Sequence, residues 1–242
     1  MALPEFVKQK LRDTLSPGMR GALNQVRFEM AAGRIARAAQ RSFAALKGRR
    51  NLKLHLGAGD DIRLGWVNTD LRLRVPPHID PKSQPDTVFI NHDLRRGLPL
   101  DDGSVDLVYS SHFFEHLSFE EGLALMRESH RVLAAGGRFR IALPTFKAMF
   151  QAYLDADDRY FDTLALEDIY PHAPHGTLTR IDHVNYGVYQ HGEHRAIYDE
   201  PKTIALLKAA GFGDPRPVPF DKGIDPDNEL RRRYTFYVDA YK

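Results

Sequence analysis

The sequence predicts an α/β fold in which a doubly wound, mainly parallel sheet with a C-terminal antiparallel strand is preceded by an N-terminal helical arm. Three observations lead there. From Leu52 onward, short apolar runs alternate with segments of helical period, the rhythm of strands joined by crossovers. The amphipathic stretch "FEEGLALMRESHRVL" stands between two such runs and stops at "AAGG", a helix-ending signal. The chain finishes with "PRPVPF" and "RRRYTFYVDAYK", which read as a closing strand pair. At 242 residues and 43% hydrophobic, the chain is long enough for one sizeable core with an appendage.

Taken in order, residues 3–15 and 19–46 read as two helices broken at Ser16–Gly18, since "SPG" interrupts a helix. In the second, Met19, Leu23, Val26, Met30, Phe43 and Leu46 recur at helical spacing with arginines between them. Residues 1–50 hold eleven basic and three acidic residues, a net charge of +8, against −6 for the remainder. This asymmetry divides the chain into a basic arm, 1–50, and a main domain, 51–242. The arm reads either as a helix packed on its own domain with a solvated basic face, or as a peripheral contact for an anionic membrane or a protein partner.

"LKLHL", "GWVNTDL", "DTVFINHDL", "VDLVYSSHFF" and "RFRIALP" are the five expected parallel strands, their sheet covered on both faces. "PKTIALLKAAGF" is a further helix ending at Gly211. Residues 145–198 break the rhythm. "TFKAMFQAYLDADDRYF" reads as helical, but the stretch after it is rich in His, Tyr and Gly and has no period. A long irregular segment within a domain reads as a lid or binding loop.

The absence of cysteine excludes disulfides, thiolate metal sites and a cysteine nucleophile, and fits a reducing, cytoplasmic setting. No apolar run is long enough for a membrane-spanning helix. "MALPEFVKQK" lacks the apolar centre of a secretion signal, so export by that route is not expected.

Ligands of open parallel sheets sit outside the carboxyl ends of the strands. Gly57 and Gly59 follow the first strand, where missing side chains let backbone N–H groups approach a ligand. Asp70 ends the second, where a carboxylate can accept from two ribose hydroxyls. Asp93 ends the third, placed to accept from an exocyclic amine, and Ser110, Ser111 and His112 end the fourth.

On these residues the segment Leu52–Pro144 resembles the core of the class I S-adenosylmethionine-dependent methyltransferases, in the small-molecule branch. The resemblance is carried by "LHLGAGD", "VNTDLR", "NHDLRRGLPLDDGSVDLVYSSHFFEHL" and "MRESHRVLAAGGRFRIALP". It implies a Rossmann-like sheet, S-adenosyl-L-methionine as cofactor, and cofactor binding by Gly57, Ala58, Gly59, Asp70, Leu71, Asp93, Leu94, Ser110 and Ser111. Two departures stand out. His55 occupies a position two before the first glycine, where the family usually has Asp or Glu. The span from Gly59 to Asp70 is also short, so the first helix is expected to shrink to a turn. A nicotinamide dinucleotide would need GxGxxG opening a full helix and an acid about 20 residues on. Here the acid follows Gly59 by 11 residues.

Just past the fourth strand lie His112, Glu115 and His116; the 145–198 segment holds His172, His175, His183, His191 and His194. An oxygen acceptor profits from a base with a pKa near working pH, which favours histidine. His112, His183 and His194 are the expected catalytic residues, and Tyr186, Tyr189 and Tyr198 a candidate aromatic wall. The histidine spacing matches no defined ligand set, so no metal is expected. The reading is O-methylation of a small or saccharide-like acceptor. Nucleic acid is not the expected substrate, because basic residues concentrate in the arm. The alternative is a non-catalytic scaffold of the same fold that engages a partner through the arm.

Overall fold

Seven strands form one sheet in the order β3-β2-β1-β4-β5-β7-β6. Strands β1 (Leu52–Leu56), β2 (Val67–Asp70), β3 (Val88–Asn91), β4 (Val105–Ser111) and β5 (Leu133–Pro144) are parallel. Strand β7 (Thr235–Tyr241) is antiparallel to β5 and to the edge strand β6 (Gly213–Val218). The computed structural model describes residues 15–73, 77, 79–80, 83–161, 165–227 and 229–242; the helix expected at 3–15 falls outside them but for its last residue. The strand order reverses between β1 and β4, so their carboxyl ends flank the crevice where such sheets take ligands.

The described α-helices are α1 (Pro17–Ala44), α2 (Phe119–Val132), α3 (Lys147–Leu154), α4 (Asp158–Phe161), α5 (Leu166–Ile169), α6 (Arg180–Tyr189), α7 (Glu200–Ala209) and α8 (Glu229–Arg233). "SPG" begins α1: the Ser16 hydroxyl accepts from Met19 N and Pro17 opens the first turn, where its missing N–H costs nothing. Ser118 and Glu121 form a capping box at the start of α2. Helix α2 stops at Val132, and "AAGG" belongs to β5, where the pairing register with β4 shifts between Val105 and Leu107. The arginine run 231–233 falls in or beside α8 rather than in the last strand, and α6 lies within the segment that shows no period in sequence. No helix among the described residues is long and apolar enough to cross a membrane.

Leu54, Leu56, Val108, Ile141 and Val238 share one core with Ala39, Phe43 and Leu46 of the N-terminal segment, Leu125 and Met126 of α2, and Leu207 of α7. From Ala32 onward, therefore, the basic arm is part of the domain's core, with Ala32, Ala36, Ala39 and Phe43 buried. The opposite face departs from expectation. Asn68, His55, Tyr109, Arg140 and Asp239 are register neighbours across five strands, and all are buried. Loops cover them, not helices. Arg63 lies 3.9 Å over the Tyr109 ring and donates to Ile224 O. Asp225 takes two bonds from Arg140, and Phe220 packs on Tyr237. Residues 57–66, which join β1 to β2, form no helix. Chain length explains this. A crossover must return the length of β1, roughly 17 Å at 3.3 Å per residue. Ten residues wound at 1.5 Å each would span only about 15 Å and leave none for turns.

Candidate active site

The crevice at the strand-order reversal is built from backbone. Gly57 has φ +65° and Gly59 φ +52°. A Cβ on Gly57 would stand 2.2 Å from Phe113 Cγ, so only glycine fits beneath that ring. At Gly59 a Cβ would meet nothing within 4 Å; open space and a left-handed backbone make it a cradle for a ligand. Gly59 N donates to Asp70 Oδ2 (2.9 Å) and Leu71 N to Asp70 Oδ1 (2.7 Å). Each Asp70 oxygen keeps acceptor capacity, and the side chain is 21% exposed, which suits a vicinal diol. Burial raises the Asp70 pKa, opposed by those two N–H groups and by Arg72.

Asp93 is placed at the end of β3 as expected, but its oxygens are already engaged. Arg95 N and Nε donate to Oδ1, and Arg95 Nη2 and Arg96 Nε donate to Oδ2. A carboxylate has about four acceptor sites, so in this geometry Asp93 has none to spare for an exocyclic amine. Burial works to raise its pKa, but the arginine bonds prevail and hold it below the usual range. Arg95 in turn grips Glu29 of α1 through both guanidinium nitrogens (2.8 and 3.1 Å). These residues line a cleft of about 680 Å³ together with Leu71, Leu94, Phe113, His116 and, from α1, Gln25 and Phe28. Ala58 is held by its N–H to Thr69 O. Ser110 Oγ donates back to Leu56 O, and Ser111 Oγ accepts from Arg231, so Ser110 spends its donor within the protein while Ser111 keeps its own.

A second cavity, about 440 Å³, lies under the 145–198 segment. It is lined by His112, Glu115, His116, Phe146, Met149, Tyr160, Phe161, His183, Tyr186, His194, Arg231 and Tyr234. All three expected catalytic histidines reach it. His112 has φ +48°, and its Nε2 stands 2.7 Å from Thr235 Oγ1. Burial, with Arg231, His194 and His116 adding, pushes its pKa down to about 3, too low for a strong general base near neutrality. His183 of α6 packs against Phe161. His194 Nδ1 is 2.9 Å from Gly187 O, and its ring meets His116 edge to face at 5.1 Å. Burial first, then His116, lowers the His194 pKa. Glu115 is 1% exposed, and burial raises its carboxyl to about 8. His116 borders both the cleft and the cavity.

The remaining candidates separate. His172 and His175 are exposed, and His191 packs between Tyr170 and Tyr186. Of the three tyrosines, Tyr186 alone lines the cavity; Tyr189 is 62% exposed, and Tyr198 is buried in the core. Gly187 lets α6 approach α3 so closely that a Cβ there would lie 2.4 Å from Met149 Cε. Sequence reasoning missed Arg231, Tyr234 and Thr235, which come from the far end of the chain, and the α1 residues of the cleft. Their signals were the arginine run before the last strand and the lone Glu29 in an otherwise basic helix.

A family model described as a methyltransferase domain matches residues 72–141, from just beyond Asp70 into β5. No curated protein matches the sequence. Among solved structures, a methyltransferase of Thermotoga maritima described as a possible histamine N-methyltransferase is 13% identical, with TM-score 0.47 over 92% of this chain and 97% of that one. A second, from Archaeoglobus fulgidus, is 15% identical, with TM-score 0.46 over 88% and 94%. The Burkholderia thailandensis 1,6-didemethyltoxoflavin-N1-methyltransferase, solved with 1,6-didemethyltoxoflavin and S-adenosylhomocysteine, is 17% identical, with TM-score 0.44 over 100% and 93%. By the family match, residues 72–141 are similar to a methyltransferase domain, and the glycine–carboxylate crevice just before them suits S-adenosylmethionine as the cofactor.

Proposed function

We propose that the protein methylates an oxygen of a small, hydroxylated or saccharide-like acceptor held in the cavity under the 145–198 segment. The observation that carries this reading is that His116 borders both cavities, so a cofactor in one and an acceptor in the other meet at a single seam. When bound, the sulfonium cofactor supplies the activated methyl group. Gly57, Ala58 and Gly59 would hold it by close approach of the main chain, Asp70 would accept from its ribose hydroxyls, and Leu71 and Leu94 would line the place of its base. Asp93 acts on the cleft through Arg95. On the acceptor side, Phe146, Phe161 and Tyr186 supply apolar walls. His183 takes the proton from the acceptor hydroxyl, and His194 orients that hydroxyl. Holding acceptor and donor in line supplies most of the acceleration of a displacement of this kind.

Calorimetric titration with S-adenosylhomocysteine tests the cofactor half. Asp70→Ala is expected to weaken binding by roughly 1.5–3 kcal/mol, the scale of a charge-assisted hydrogen bond. Absence of heat with the parent protein would favour a scaffold role. A screen of hydroxylated acceptors with labelled cofactor tests the other half. His183→Gln is expected to lower turnover and leave cofactor affinity unchanged; transfer to amines alone would sink the oxygen assignment.

We also propose a peripheral contact for α1. Its exposed residues Met19, Leu23, Val26 and Met30, with exposed Arg34, Arg37 and Arg41, fall in one sector of about 80° at 3.6 residues per turn. That sector points away from buried Ala32, Ala36 and Ala39. An apolar stripe running into arginines suits an anionic surface on the cytoplasmic side of a membrane. Co-sedimentation with phosphatidylglycerol vesicles should be lost in R34E/R37E/R41E; equal retention of parent and variant would refute the contact.

A further inference from the structure

We propose that Glu115, His116 and His194 form a binding site for one divalent transition-metal ion of the zinc class, with an open coordination position toward the cavity under the 145–198 segment. A carboxylate oxygen of Glu115 and one ring nitrogen from each histidine lie within 4.8 Å of one another. These residues come from two distant parts of the chain. The main chain locks the parts together, because Arg195 N and Ala196 N both donate to Glu115 O (2.8 and 3.1 Å).

The hydrogen bonds around the rings set their chemistry. His116 Nδ1 is 3.1 Å from Glu193 O, and His194 Nδ1 is 2.9 Å from Gly187 O. A carbonyl oxygen only accepts, so each Nδ1 carries the proton and each Nε2 keeps a lone pair. Backbone carbonyls fix the tautomer and orientation of metal-ligating histidines in the same way. The third member is nine-tenths buried, and its Oε2 has no hydrogen-bond partner. Three acceptors thus converge, and one is a carboxylate removed from water. A buried carboxylate is costly unless a cation or a proton joins it; its other oxygen, Oε1, stands 3.8 Å from His112 Nδ1. Arg231, which also lines the cavity, donates to Ser111 Oγ.

The ligand set decides the class of ion. Two imidazoles and one carboxylate suit zinc and its neighbours, while calcium and magnesium prefer all-oxygen shells. Three protein ligands with a fourth position open is the pattern of reactive rather than purely structural zinc. The 191–194 spacing could not reveal this site, because His194 pairs with His116 instead of His191. A role for the ion in holding the acceptor's oxygen rests on the methyl-transfer reading; binding of the ion does not.

The test uses the full-length protein, stripped with chelator and titrated with Co²⁺ as an optical probe, then with Zn²⁺ as competitor. The expected result is one equivalent of saturable binding with visible bands of four- or five-coordinate cobalt, displaced by zinc. H116Q/H194Q should weaken that binding by at least about 100-fold, since even disturbing a ligand's supporting partner costs 10- to 100-fold. E115Q should do the same. If buried E115Q fails to fold, the double variant, whose two side chains are not buried, still decides, with its fold checked by circular dichroism. S-adenosylhomocysteine calorimetry on the single variant H194Q, whose residue lies outside the cofactor cleft, separates the two readings: cofactor binding should persist where cobalt binding has weakened. No saturable cobalt binding by the parent, or equal affinity and an equal spectrum in H116Q/H194Q, overturns the site.

Discussion

Replacing His55 with glutamine should make the fold less sensitive to acid, by an amount the structure sets. His55 is 1% exposed on the loop-covered face of the sheet, with its ring 5.3 Å from that of Tyr109. Burial first, and then the Arg63 guanidinium, lowers its pKa from 6.5 to about 4. The folded state therefore binds this proton less readily than the unfolded chain does. The stabilisation from keeping His55 neutral is complete above pH 6.5 and is lost as pH falls toward 4. Integrating between those two values gives a loss on the order of 1 kcal/mol at pH 5.5 and roughly 2–3 kcal/mol at pH 4.5. Glutamine cannot titrate, so H55Q should be spared that loss. Urea unfolding of parent and variant at pH 7.5, 5.5 and 4.5 measures it as a difference of differences. Burial also lowers the His92 pKa, but His92 is common to both proteins and cancels. If H55Q loses as much stability as the parent on acidification, His55 is not held neutral by the fold, and the loops do not seal that face.

Further consequences can be measured separately. Gly57→Ala forces a Cβ to within 2.2 Å of Phe113 Cγ at φ +65°; a loss of about 1–3 kcal/mol and weaker S-adenosylhomocysteine binding are expected, and an unchanged melt and titration would contradict the crowding. Arg140→Met leaves Asp225 and Asp239, both at most 4% exposed, without their guanidinium; the expected cost is roughly 3–5 kcal/mol, and a urea-unfolding change below about 1 kcal/mol would show the network to be solvated. Glu29→Gln frees Arg95. Because Glu29 is 39% exposed, the stability cost should be only about 0.5–1 kcal/mol. Cofactor affinity should nevertheless fall, and calorimetry showing no change would separate α1 from the cleft.

The sheet was legible because its information is local. Leu52, Leu54 and Leu56 alternate in a run bounded by polar and glycine residues, and "FEEGLALMRESHRVL" is amphipathic and directly follows its cap, Ser118, although the "AAGG" after it belongs to β5. The positions of Gly57, Gly59, Asp70 and Asp93 were legible for a related reason: all lie at or just past strand ends, and topology sends strand ends to one side of the sheet. What could not be read depends on contacts between distant residues. The sequence places Asp93 correctly but does not show that Arg95 and Arg96 saturate its oxygens. The sequence places Arg140 in a strand but does not show that it is 2% exposed between Asp225 and Asp239. Helix α6 was hidden because Gly187 and a polar face blur its period; it is held by packing on α3. His194 reads as half of a three-residue pair with His191, yet meets His116, 78 positions away in sequence.

The one-sided helical cover bears directly on the site. With no helix between β1 and β2, and only a single 3₁₀ turn, Leu94–Arg96, between β3 and β4, the described residues include no crossover helix to lay over the β3 side of the core. Helix α1 fills that place, packing on β3 and burying Phe43. The same placement brings Glu29 to Arg95, and Arg95 sets the charge state and geometry of Asp93 at the cleft. A segment that composition marks as a separate basic arm is thus both a structural layer and a wall of the cleft that holds Asp93 and Arg95. Its inner side meets the cleft through Glu29, while its outer side carries the exposed stripe from Met19 to Met30. A contact on the outer face of α1 that shifts the Glu29–Arg95 clamp would change cofactor affinity, and by linkage the cofactor would change the affinity of that contact by the same factor.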